Sequence, residues 1–148
     1  MSYTGSQSQA GKGSVLSIGT SPVAIGEVKN APMNRGKWKF VDVTNFESGA
    51  DSETLPVIRD NGTISLEGNR VSSDAGQVAV EAAYQNGTLA TYTLQLPVNT
   101  AAGQTTTGDK YVFKAYVESS DFTVDVQKEI DFKVSLRISG ATTLTAGS

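Results

Sequence analysis

Apolar and polar positions alternate with a period of two along most of this chain, the pattern of strands with one buried and one wet face. The clearest case is Ile130, Phe132, Val134, Leu136 and Ile138 set against Asp131, Lys133, Ser135, Arg137 and Ser139. Ala90, Tyr92, Leu94 and Leu96 repeat the pattern, as do Tyr111, Phe113, Ala115 and Val117, and then Phe122, Val124 and Val126. Two shorter runs, Val15-Leu16-Ile18 and Val23-Ile25-Val28, are split by Gly19-Thr20-Ser21-Pro22, a hairpin or bend with Pro22 near a strand start. Ile64 and Leu66 face away from Thr63, Ser65 and Glu67 after the turn signal Asp60-Asn61-Gly62.

The period changes once, after Asn69. Asp74 followed by Gln77 reads as a capping box, with Asp74 accepting from the Gln77 amide and Gln77 reaching back. Ala75, Val78, Ala79 and Ala82, with Val80, Ala83 and Tyr84 alongside, make an apolar stripe over about twelve residues, and Asn86-Gly87 supplies the stop. So short a helix is marginal alone, and its small face predicts close packing on a sheet.

The stretch 37–69 breaks the rule in another way. From Trp38 to Phe46 neither face is cleanly apolar, so both sides of this run read as contact surfaces. Between it and the 63–69 run lies a polar, acidic arm from Glu47 to Pro56, too long for a tight hairpin turn and unable to pack a core of its own.

Roughly seven to nine strands and one helix predict an all-β fold with one flanking α-helix, a two-sheet β-sandwich or a partly closed barrel. One domain over 14–140 accommodates them. Residues 1–13 and 141–148 share a Ser/Gly/Thr/Ala-rich composition and are set apart as a flexible N-terminal arm and a C-terminal tail. The N-terminal arm is either a floppy terminus or a segment that orders against a neighbouring subunit. Several strands must be sheet edges, which invite pairing with another chain.

Composition removes chemistry rather than adding it. Among 148 residues there is no Cys and no His, so thiol nucleophiles, disulfides, thiolate metal sites and the usual general base are missing. No Ser sits in a G-x-S-x-G context, and Gly11-Lys12-Gly13-Ser14 lacks phosphate-loop spacing. Asp60-Asn61-Gly62 has calcium-loop residue types without the spaced ligands, and Asn61-Gly62-Thr63 and Asn86-Gly87-Thr88 are turns rather than glycosylation sites. No catalytic residue, metal or cofactor is expected. A net charge of -3 and a pI near 4.9 disfavour a protein that grips nucleic acid by its phosphates. No run approaches the ~18 apolar residues of a membrane span, and no secretion signal is visible, so a soluble protein is expected.

The order Phe40-Val41-Asp42-Val43-Thr44-Asn45-Phe46-Glu47-Ser48, then Asp60-Asn61-Gly62-Thr63-Ile64-Ser65-Leu66-Glu67-Gly68-Asn69, the helix from Asp74 and a final strand ending in Ser139-Gly140, resembles the major tail tube protein of long non-contractile-tailed bacteriophages. The resemblance is one of pattern across most of the chain. It implies a structural virion protein, six copies closing a ring and rings stacking into a hollow tube through which double-stranded DNA passes without specific binding. The partners implied are the chain itself and the tape measure, distal tail and tail terminator proteins. The location implied is the virion tail, assembled in the host cytoplasm. Glu47, Ser48, Gly49, Ala50, Asp51, Ser52, Glu53 and Thr54 would form an inter-ring arm, and Tyr3, Thr4 and Gly5 would contact neighbours. Asp42, Thr63, Ser65 and Glu67 would be candidates to face the lumen, where carboxylates would repel phosphates. Two other readings stand beside this one. A tube protein of a contractile tail or related secretion machine shares the subunit fold. A monomeric β-sandwich binding module would use exposed aromatics such as Trp38 and Tyr92.

Overall fold

A computed structural model describes residues 13–44, 49 and 51–148. Its strands, in chain order, are β1 (Val15–Ile18), β2 (Val23–Ala24), β3 (Val28–Asn30), β4 (Met33–Asn34), β5 (Trp38–Asp42), β6 (Thr54–Arg59), β7 (Thr63–Asn69), β8 (Ala90–Gln95), β9 (Lys110–Thr123), β10 (Asp131–Ile138) and β11 (Thr143–Thr145). One helix, α1 (Ala75–Asn86), lies between β7 and β8. Nine strands form a curled antiparallel half-barrel ordered β2-β1-β8-β9-β10-β7-β3, with β4 pairing β7 and β11 pairing β9; β5 and β6 make a separate two-stranded sheet. The fold is mostly β with one helix, as the sequence pattern predicts.

The alternating runs place the core. Leu16 and Ile18 of β1, Tyr92 of β8, Phe113 and Ala115 of β9, Phe132, Val134, Leu136 and Ile138 of β10, and Ile64 and Leu66 of β7 are all buried on the inner face, with Ile25 and Val80 of α1 packed onto it. Tyr92 and Phe113 stack with ring centroids 5.8 Å apart. Tyr92 is therefore no surface aromatic: it is fully buried, its hydroxyl has no hydrogen-bond partner among the described residues, and burial pushes it up to about 12.

Two expectations about the sheet give way. The second strand opposite β5 is β6, with Trp38 opposite Arg59 and Val41 opposite Leu55. The 63–69 run pairs instead with β10, Leu66 opposite Val134. The 122–126 run is no separate strand, since β9 continues through Thr123, and Val126 lies fully exposed in the turn to β10. Residues 141–148 carry β11, whose Leu144 is opposite Tyr111, and the Ser148 carbonyl accepts from the amides of Thr105, Thr106 and Thr107.

The helix begins and ends where its signals place it. Asp74 accepts from Gln77 N at 2.9 Å, and Gly87 closes the C-terminus at a φ of 62°, a left-handed conformation that glycine adopts without strain. Gln77 does not reach back to Asp74, however. Its Oε1 accepts from Val71 N at 2.9 Å, and its Nε2 donates to the carbonyls of Gly26 at 2.9 Å and Asn69 at 3.0 Å. The buried stripe is rotated from the expected one: Gly76, Val80 and Ala83 face the sheet, while Val78 and Tyr84 are exposed. The stripe could turn because Gly76 permits an approach that a larger residue would block.

Asp74 also accepts from Gly26 N at 3.0 Å, tying the helix N-terminus to the β2–β3 connection. Asp74→Ala removes a cap and orphans a half-buried amide, which together cost roughly 2–3 kcal/mol. Asp74→Asn, keeping one acceptor oxygen, is expected to lose less than about 1 kcal/mol. Urea denaturation midpoints test this; no loss for Asp74→Ala would show that the cap and the Gly26 tie contribute nothing, and an equal loss for Asp74→Asn would show that the carboxylate charge rather than the acceptor oxygen matters.

Candidate functional site

The β5–β6 sheet leaves the half-barrel as an arm. At its base Gly36 and Gly62 cross at φ of 81° and 82°; a Cβ on Gly36 would fall on the Asp60 carbonyl, and one on Gly62 on the Asn34 carbonyl. Only glycine fits there, and Asp60 N donates to Lys37 O at 2.8 Å to close the neck. The ladder runs on past β5, with Val43 N donating to Glu53 O at 3.0 Å and Glu53 N to Thr44 Oγ1 at 2.8 Å. Asp42 accepts from Thr44 N at 2.9 Å; hydrogen bonding by Thr44, its hydroxyl first and its amide second, holds the Asp42 carboxyl below the usual carboxylate range.

Every residue of β5 and β6 is exposed. The register sorts the side chains into two faces. Trp38, Phe40 and Pro56 share one with Arg59 and Asp42; Val41, Leu55 and Ile58 share the other with Lys39. Trp38, Phe40, Val41, Leu55, Val57 and Ile58 are each at least half exposed. Neither face is a core face, which is what the mixed pattern of 38–46 predicts. Besides the Thr44 hydrogen bonds near the tip, side-chain support within the arm comes from the Arg59 guanidinium 5.4 Å over the Trp38 ring and an exposed Lys39–Asp60 pair at 3.7 Å. An isolated two-stranded hairpin is marginal in water, and this one carries its apolar side chains uncovered on both faces.

The candidate residues fall in different parts of this geometry. Thr54 is the first residue of β6 and Asp42 the last of β5, so both belong to the arm. Gly49, Asp51, Ser52 and Glu53 are exposed around its tip, while Glu47, Ser48 and Ala50 lie outside the described residues, as do Tyr3, Thr4 and Gly5. Thr63, Ser65 and Glu67 share the outer, polar face of β7 on the half-barrel, separate from Asp42. Around them Lys110, Lys114, Lys133 and Arg137 stand among Glu67, Glu118, Asp121 and Asp131. Lys133–Glu67 at 3.7 Å and Arg137–Glu118 at 3.9 Å cross between strands, both well exposed and each contributing at most about 1 kcal/mol. The face alternates in sign rather than presenting carboxylates alone.

The sequence reading missed Leu55, Val57 and Ile58 because Pro56 interrupts an apolar run that lacks alternation. A signal was present: three apolar residues in four positions, between polar stretches, with no core face to join. Among the described residues no helix is long and apolar enough to cross a membrane, and no group of three potential ligands could hold a metal ion.

No family model and no curated protein matches the sequence. Solved structures match its fold. A chain from the tail of an empty gene transfer agent particle, refined with C6 symmetry, is 18% identical at a TM-score of 0.70, covering 94% of this chain and 100% of that one. The tail tube of SPP1 gives 17% identity and 0.69 over 91% of this chain and 77% of that one. A chain of the sheath–tube complex of an extracellular contractile injection system gives 11% and 0.65 over 90% and 88%. At such identities the likeness establishes the fold, which is that of tail tube proteins.

Proposed function

We propose that this chain is the repeating subunit of a hollow tail tube of the non-contractile phage type, six copies to a ring and rings stacked, with double-stranded DNA passing through. The observation that carries the reading is the β5–β6 arm, apolar on both faces with neither covered by the subunit that makes it. A monomer gains nothing from such an arm, whereas a repeating assembly buries it once per contact. The C6 symmetry of the gene transfer agent tail supports six-fold rings. In this reading the arm, with Gly49, Asp51, Ser52, Glu53 and Thr54 at and beside its tip, bridges successive rings, and the Thr63, Ser65 and Glu67 face of the half-barrel lines the lumen. DNA then slides past a surface of interleaved signs whose field is short-ranged and screened. Glu47, Ser48 and Ala50 would belong to the same bridge, and Tyr3, Thr4 and Gly5 to contacts with neighbours. The tape measure, distal tail and terminator proteins would be the partners at the tube's ends and core.

A tube inside a contractile sheath is the second reading, favoured by the 0.65 fold overlap with the injection-system chain. Negative-stain microscopy of the purified protein at rising concentration tests the first. Naked tubes of uniform width are the expected result; a monodisperse monomer at every concentration overturns it, and copurification with a sheath-forming protein transfers it to the second reading.

A further inference from the structure

The half-barrel has an open apolar groove at the end remote from the arm. Val78 and Val80 of α1 form one wall, Phe122 of β9 and Phe132 and Val134 of β10 the other. Val78 is 54% exposed and Phe122 64%. Arg70 flanks the groove but is engaged, its guanidinium 5.6 Å from the Phe122 ring and bonded to Ser72 at 3.3 Å.

We propose that this groove receives the Trp38–Phe40 face of the arm from a second copy of the chain. The proposal rests on the tube reading for the assembly it builds, and it names the contact that holds that assembly together. The first ground is placement. The arm joins the body just before Thr63, the first residue of β7, and the groove opens at Arg70, just after its last residue. Seven residues of strand at about 3.3 Å each put the two ends roughly 20 Å apart, so the arm root and the groove sit at opposite ends of one strand. A knob at one end and a hole at the other make a heterologous, head-to-tail contact that repeats without closing on a dimer. The second ground is charge. Glu81 is the only charged residue of α1 and lines the groove; among the described residues it has no cation partner, and Arg59, on the Trp38–Phe40 face, has no carboxylate partner. Docking that face brings a cation toward an anion as the rings enter the groove.

A contact of one arm with one groove is small beside the ~800 Å² per partner of a typical stable interface, and in the proposed assembly several act together between two rings. Isolated subunits are therefore expected to remain apart at low concentration.

Because the chain contains no cysteine, single cysteines report the contact directly. Copies bearing Phe40→Cys are mixed with copies bearing Val78→Cys, concentrated and mildly oxidised. A disulfide-linked dimer is expected from the mixture and not from either variant alone, and none is expected from Phe40→Cys mixed with Leu144→Cys, an exposed position on β11. In parallel, Arg59→Glu and Glu81→Arg are each expected to raise the concentration needed for assembly about tenfold, and the double swap to restore it. No dimer in the 40/78 mixture, or an equal dimer in the 40/144 mixture, overturns the proposal, as does a double swap no better than the worse single variant. The two readings fail separately: uniform tubes without the 40/78 crosslink remove the groove contact and keep the tube, whereas the crosslink in a sample that forms no tubes keeps the contact and removes the tube.

Discussion

Replacing Phe40, Val41, Leu55 and Ile58 together with serine is expected to abolish tubes while leaving the subunit folded. Each of these side chains is at least half exposed in the subunit, so its loss removes almost nothing from the core. Surface changes of this kind shift folding stability by roughly 0.5 kcal/mol or less each. Buried against another copy, the same side chains would each contribute on the order of 1 kcal/mol or more, since full burial of a large apolar side chain is worth about 1.5–3 kcal/mol. Four such losses at every ring-to-ring contact, multiplied by the contacts a ring makes, raise the concentration for assembly beyond practical reach. The measurement is a pair: urea denaturation for the subunit and electron microscopy for the tube. Tubes that form as readily from the quadruple variant would show that the arm's apolar faces are not the joining surface. A collapse of the denaturation midpoint would show instead that they belong to the subunit's own core, contrary to their exposure.

The contrast between arm and half-barrel explains which parts of the structure were legible in the sequence. Strands β1, β8, β9, β10 and β7 bury one face within the subunit, so selection for a core writes a period of two into Leu16–Ile18, Tyr92–Leu94, Phe113–Ala115, Phe132–Ile138 and Ile64–Leu66. The helix was legible for a different reason: Asp74 and Gly87 are local signals whose geometry needs nothing distant. Pairing was not. Whether the strand opposite Val41 is Leu55 or a residue of the 63–69 run depends on hydrogen bonds formed across a loop, and β5 and β6 have no buried face to fix a pattern. The rotation of the helix stripe was hidden too, because the decisive residue, Gly76, contributes no apolar side chain to any periodicity. Of the candidate functional residues, Thr63, Ser65 and Glu67 could be placed on one polar face by alternation alone. The groove could not, since Val78 and Phe122 come together only through the docking of α1 on β9.

The close approach of α1 to the end of β2 makes Gly76→Val the substitution with the largest expected effect on the subunit itself. A Cβ at position 76 would fall on the Ala24 carbonyl oxygen and stand 2.6 Å from the Ile25 Cα, so what it meets is backbone rather than a side chain that can swing away. Overpacking costs about 1–3 kcal/mol where side chains can adjust, and more where they cannot. Removing glycine from a helix returns at most about 1 kcal/mol, which does not offset a clash with the main chain of the neighbouring connection. The helix must lift, and with it go the burial of Val80 and Ala83 and the two hydrogen bonds that Gly26 makes, to Asp74 and from Gln77. A loss of roughly 3–5 kcal/mol is expected, read as a fall in the urea midpoint and a thermal shift of 10 °C or more, the scaling being about 2–8 °C per kcal/mol. Gly87→Ala is the control. It sits at the other end of the same helix with nothing within 4 Å of its Cβ, so only the strain of its left-handed φ remains, about 1 kcal/mol. Equal effects at 76 and 87 would mean that α1 is held by its caps and not by close contact with the sheet. The two walls of the groove would then be free to move apart, and a rigid socket for a neighbour's arm would lose its physical basis.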